Sequence, residues 1–204
     1  MDWEGLLYRL EDWWSGVDKR RLLEVIVVAA LSFLLTAYAR IPFDVTYTVG
    51  RQQLNAGVCA TLGDVCLYFG VLVLGAPWAP AVCAVCMALA DLAAGAKLFF
   101  IGTLFIKFGV AYFIAAFALN CDTFVKSLAV AGIAEGLMFI LYFLYSLVFV
   151  SVSAALHALP ADLLQGAVCA CLGALLLWKM EPLRPRELPR IRRTREIGHF
   201  DEEI

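Results

Sequence analysis

Four charged side chains, Asp64, Asp91, Lys107 and Glu135, lie inside stretches that are otherwise apolar. An ionised group at bilayer depth costs at least about 2.5–3.5 kcal/mol on insertion scales, so it faces the interior of a bundle and marks a pathway or a binding site. Lys107 has the reach to meet either Asp64 or Asp91, and Asp64 is the candidate for a structural ion pair. Glu135 shares one helical face with Met138, Phe139, Tyr142, Ser146 and Phe149, so an acid, aromatic rings and a hydroxyl form one stripe. Joined to Asp162 and Gln165, that stripe can wall a pocket for a flat polar heterocycle by stacking and hydrogen bonding. Glu135, Tyr142, Ser146, Asp162, Gln165, Lys107 and Asp91 are therefore the candidate substrate-binding residues. Acids outnumber the single buried lysine: either one acid stays protonated through desolvation, or the site suits a cationic or donor-rich ligand.

The elements that position these groups follow from composition and hydropathy. With 63% apolar and 17% charged residues, the chain has too little polar surface for a soluble globule of 204 residues. The fold class expected is all-α, a polytopic membrane bundle. A hydrocarbon core of about 30 Å takes roughly 20 helical residues. On that ruler six spans are expected, near 22–39, 54–74, 78–95, 101–119, 125–150 and 161–180. Pro77 and Pro80 break the second from the third, which makes these two a helical hairpin. Lys19, Arg20 and Arg21 precede the first span, Lys126 marks the fourth connection, and seven basic residues from Lys179 to Arg195 follow the last. The positive-inside rule then places both termini in the cytoplasm and the connections 40–53, 96–100 and 151–160 outside. From the 1.5 Å helical rise, Asp64 lies about 15 Å, Asp91 about 6 Å and Lys107 about 9 Å below the outer surface.

Residues 1–19 carry a tryptophan-rich face opposite acids and are expected to form an interfacial amphipathic helix against membrane lipid, or a docking surface for a cytoplasmic partner. Residues 20–181 form the transmembrane domain, and 182–204, rich in proline and charge, a solvated cytoplasmic tail. The seven cysteines lie mostly among Ala, Val and Leu and are expected to be small core residues, with Cys83 and Cys86 the one spacing to weigh for metal or redox chemistry. No metal or cofactor is expected, and the charge distribution gives no footprint for nucleic acid. Small residues recur four apart at Ser32 and Thr36, Ala84 and Ala88, Ala90 and Ala94, Ala111 and Ala115, Gly132 and Gly136, and Gly166 and Ala170. Such pairs let helices approach closely in lipid, within the chain or against a partner subunit.

From about Ala29 to Met180 the order of local motifs resembles the substrate-binding S component of energy-coupling factor vitamin importers. The motifs are Arg40-Ile-Pro-Phe, Leu62-Gly-Asp64, Ala90-Asp91-Leu, Thr103-Leu-Phe-Ile-Lys107, Ala134-Glu135 with Tyr142-Phe143, and Leu159-Pro160-Ala-Asp162-Leu-Leu-Gln165-Gly166. The last two resemble the branch associated with riboflavin, pyridoxine-like and hydroxymethylpyrimidine-like substrates. The resemblance implies a six-helix, non-enzymatic subunit of a prokaryotic plasma membrane. It would capture a vitamin from outside and deliver it through a T component driven by two ATPases. It also implies T-component contact through the first helix, at Ser32 and Thr36, and an outer lid formed by the loop 43–53. The chain departs from the branch in carrying Ser146 where a second Glu is common on the fifth helix, and Asp162 where an amide is common. No Gly-x-x-x-x-Gly-Lys-Ser/Thr phosphate loop is present, so ATP hydrolysis would have to come from a partner.

Two other classes compete. A proton-coupled secondary transporter would titrate Glu135 and Asp64. An intramembrane enzyme is disfavoured because His157 and His199 fall outside the expected spans and neither a His-Glu-x-x-His nor a Gly-x-Ser-x-Gly motif occurs.

Overall fold

The computed structural model describes the backbone of residues 19–49 and 52–180, and the side-chain surroundings of those residues outside 42–59. Apart from Lys19, the expected interfacial helix lies outside the described residues, as does the tail 182–204. Helix α1 spans Lys19–Tyr38, strands β1 and β2 span Arg40–Val49 and Gln52–Thr61, and five further helices follow: α2 Val65–Leu74, α3 Trp78–Ala93, α4 Phe99–Phe117, α5 Phe124–Phe149 and α6 Val152–Lys179. A short 3-10 turn, Ala118–Asn120, extends α4. Four helices, α1, α4 with its extension, α5 and α6, are long and apolar enough to cross a membrane. Their outward surfaces expose large apolar side chains such as Leu23, Phe105, Val125 and Val148. Lipid satisfies such a shell, whereas water would not.

Residues 40–61 depart from the all-α expectation. They form an antiparallel hairpin whose register pairs Arg40 with Thr61 and Val49 with Gln52. The segment Ile41-Pro-Phe-Asp-Val-Thr-Tyr-Thr-Val49 alternates apolar and polar residues with period two, the strand signature, and is rich in β-branched and aromatic types. Its pairing takes residues 54–61 out of the expected second span, leaving α2 as ten helical residues, about 15 Å, half a bilayer. Residues 43–49 and 52–53 of the expected lid are strand, while Gly50 and Arg51 lie outside the described residues.

Asp64 therefore stands at the N-terminus of α2 instead of midway along a span, and its side chain makes no capping hydrogen bond there. At the far end of α2 the Arg21 guanidinium donates to the Leu74 carbonyl oxygen at 3.4 Å, which ties the start of α1 to the end of this half-length helix. Gly75 takes a positive φ of 67° in the turn to α3. Only a residue without a Cβ adopts that conformation without cost, and the two short helices pack on one another as the sequence led one to expect.

The last connection is also revised. Residues 152–160, expected as an outer loop, are the first turns of α6. Ser151 accepts a hydrogen bond from the Ala154 amide at 3.0 Å and so caps the helix, and Pro160 is accommodated inside it. The amides of Val150 and Ser151 both donate to the Ser146 carbonyl, so α5 and α6 are joined by only two residues and pack as a long pair. At the other end of α5, Thr123 accepts from the Lys126 amide as N-cap. There the Lys126 ammonium donates to Asp122 and holds that exposed carboxyl below its ordinary range.

Small residues let the helices meet. Ala84, Ala88, Ala111, Ala115, Ala131, Ala134 and Ala174 are buried at their interfaces around Leu67, Tyr68, Leu72 and Met87. Cys66, Cys83, Cys121 and Cys169 are buried among them as free thiols, while Cys86 is half-buried. Ser32 and Thr36 turn inward too: the Ser32 hydroxyl donates to Cys83 Sγ at 3.6 Å, and Thr36 packs on Gly63. Both are buried inside the bundle. Gly132 and Gly136, in contrast, face open space.

Candidate functional site

Residues spaced three and four apart on a helix share a face, and this is how the bundle collects its polar groups. Thr103 and Lys107 come from α4, Tyr142 and Ser146 from α5, and Ala158, Asp162 and Gln165 from α6. Asp64 begins α2, Asp91 lies near the end of α3, and Thr36, Arg40 and Thr61 come from α1 and the base of the hairpin. Together they enclose a cavity of about 240 Å³. Its rim includes Arg40, Ala96, Phe99 and Ala158, which stand in or beside the three connections that the charge rule assigns to the outside.

The polar groups are engaged in two networks. In the first, the Lys107 ammonium forms a buried ion pair with Asp64 and also lies 2.7 Å from Met138 Sδ. The Gln165 amide nitrogen donates to the other Asp64 oxygen at 2.6 Å, and the Gln165 amide oxygen accepts from the Thr61 amide at 2.7 Å. One side chain thus ties the base of the hairpin to the ion pair. In the second network, the Tyr142 hydroxyl donates to Thr103 Oγ1 at 2.8 Å, and the Thr103 hydroxyl donates to Asp91 Oδ2 at 2.6 Å. This chain fixes the Tyr142 ring, which carries the Lys107 ammonium 5.2 Å from its centroid and lies 6.5 Å from the Phe99 ring. An aromatic wall held in one orientation offers a stacking surface with little entropy left to lose.

Of the residues expected from the sequence, Asp91, Lys107, Tyr142, Ser146, Asp162 and Gln165 all line this cavity, and Asp64 lines it as well as pairing with Lys107. Lys107 meets Asp64 and not Asp91, which is satisfied by Thr103. Glu135 does not line the main cavity. Its carboxylate accepts a 2.9 Å hydrogen bond from Tyr68, a buried ring on α2 whose hydroxyl also lies 3.3 Å from the Ala131 carbonyl oxygen, and with Tyr142, Asp162 and Gln165 of the expected wall it borders a smaller void of about 20 Å³. Sequence reasoning missed Arg40, Thr61, Thr103 and Phe99. Thr103 had a signal, since it precedes Lys107 by four residues on the same face. Phe149, the last member of the expected stripe, is exposed.

Among the described residues no group of three potential metal ligands converges. The arrangement offers carboxylates, an ammonium, a guanidinium, hydroxyls and a ring wall around a small void. Groups of this kind can hydrogen-bond to a polar solute and stack on its ring. No protein-family model, curated protein or solved structure matches the chain.

Proposed function

We propose that this chain is the substrate-binding subunit of an energy-coupling-factor type importer in a prokaryotic plasma membrane. In this reading it spans the membrane six times with both termini inside, the half-length α2 crossing together with the strand β2 that precedes it and α3 returning. It captures a small heterocyclic vitamin or vitamin precursor from outside and delivers it through a T component and two ATPases. The observation that carries the reading is the polar, ring-walled cavity assembled from α1, α3, α4, α5 and α6, Asp64 just before α2 and the hairpin base, beneath the connections assigned to the exterior. The order of motifs from Arg40 to Gly166 adds to it, and the absence of a phosphate loop fits a subunit that borrows its energy.

The test is uptake in proteoliposomes. The chain alone is expected to bind its solute without accumulating it, and ATP-dependent accumulation is expected only when a T component and ATPases are co-reconstituted. Accumulation by the chain alone under an imposed pH gradient would replace this reading with a proton-coupled carrier.

A further inference from the structure

Three carboxylates and two cations face the cavity, and their partners differ. Asp64 is taken by Lys107 and Gln165. Asp91 is taken by Thr103 and feels the nearby Arg40 guanidinium, which itself donates to the Thr36 carbonyl at 3.3 Å. Asp162 is the remainder. It is half-buried, borders both the main cavity and the small void that shares part of its wall, and its carboxylate receives no hydrogen bond from any described residue. On the same wall Thr36 is 6% exposed, and its buried hydroxyl has no partner among the described residues. A buried polar atom normally has a partner, so the orphaned hydroxyl and the open carboxylate together mark a place for a solute.

Size restricts the partner. The cavity's 240 Å³ falls just below the roughly 300–1,000 Å³ usual for small-molecule sites, room for one ring with short substituents and not for a fused three-ring system. Lys107 and Arg40 offset two of the three carboxylates, which leaves one negative charge for the solute to meet.

We infer that the substrate is a single-ring heterocycle bearing one cationic group, and that Asp162 is its counter-ion and the residue that sets specificity. This rests on the solute-binding reading above and narrows it. The ring stacks on Tyr142, and the cationic nitrogen, protonated before it binds, donates to the Asp162 carboxylate, a charge-assisted bond formed as water leaves. No covalent step is involved.

Matched probes test it. Pyridoxamine and pyridoxine share one ring and differ in an aminomethyl against a hydroxymethyl group, as do the aminomethyl and hydroxymethyl forms of 4-amino-2-methylpyrimidine. Riboflavin supplies three fused rings. Equilibrium binding to the purified full chain is expected to favour the aminomethyl member of at least one pair by about tenfold to a hundredfold. Asp162→Asn should erase that preference, Asp162→Glu should restore part of it, and riboflavin should not bind. Because the Asp162 carboxylate accepts no hydrogen bond from any described residue, Asp162→Asn should fold as wild type does. Should it not fold, the wild-type preference alone decides. Equal or tighter binding of the hydroxymethyl members, a preference unchanged in Asp162→Asn, or tight riboflavin binding would each overturn the inference while leaving a solute-binding subunit in place. Absence of binding by all five probes, together with no ATP-dependent uptake of any of them by the reconstituted complex, would overturn both.

Discussion

Lys107→Met is expected to cost about 3–5 kcal/mol of stability, because it leaves the Asp64 charge buried with no cation beside it. Asp64 and Lys107 are 2% and 6% exposed at their side chains, so each relies on the other far more than on solvent. After the substitution the Gln165 amide is the one hydrogen-bond donor left on the carboxylate among the described residues. The double variant Lys107→Met, Asp64→Asn removes the orphan charge and keeps an acceptor for Gln165, so it should recover more than half of the loss. That recovery separates an ion pair from simple packing, since lost packing would not return when a second side chain changes. Reversible unfolding in mixed micelles measures both. A Lys107→Met chain within about 0.5 kcal/mol of wild type, the ordinary range for surface changes, would show that the pair carries no structural weight.

Gly173→Ala is the second large effect. A Cβ at this position of α6 would come within 2.6 Å of the Tyr68 ring, which is fully buried and held by its hydroxyl to Glu135 and the Ala131 carbonyl. The ring is fully buried, so relieving the clash forces α2 and α6 apart or breaks the hydroxyl's bonds. Overpacking of this kind costs about 1–3 kcal/mol. Gly109→Ala and Gly136→Ala are the contrast, since a Cβ there meets nothing within 4 Å. On exposed helix they should be neutral or stabilising by up to about 1 kcal/mol. Thermal unfolding of the three variants side by side gives the comparison, and equal behaviour would remove Tyr68 from its place as the clamp between α2 and α6.

Hydropathy and proline positions made most of the helical framework legible. The observed ends of α1, α3, α4 and α5 fall within about three residues of the expected spans, an ordinary boundary error. Two segments were misjudged for different reasons. Residues 54–61 are apolar enough to extend a span, but their partner strand Ile41–Val49 shows clear period-two alternation, and strand pairing decided their form. Residues 152–160 contain Pro160, which sequence reasoning treats as a boundary, yet the Ser151 cap and the Ala-rich run start α6 before it. Within the site, helical spacing brought Lys107, Tyr142, Ser146, Asp162 and Gln165 to one cavity. Which acid would be satisfied by what was not readable. The Glu135 to Tyr68 bond and the Asp91 to Thr103 bond join different helices, and their partners depend on how those helices are rotated against each other.

The most direct measurement of the central claim is mass spectrometry of the small molecule retained by the purified chain, wild type against Ala158→Trp. Ala158 stands on the cavity wall at the first turns of α6, and an indole there would fill the void without removing a polar group. Wild-type protein is expected to release one small-ring molecule on denaturation, in near-stoichiometric amount, and the folded Ala158→Trp variant none. A folded wild-type chain that carries no such molecule, and whose stability no compound in a panel of free vitamins and precursors raises, would contradict a cavity built to hold a solute.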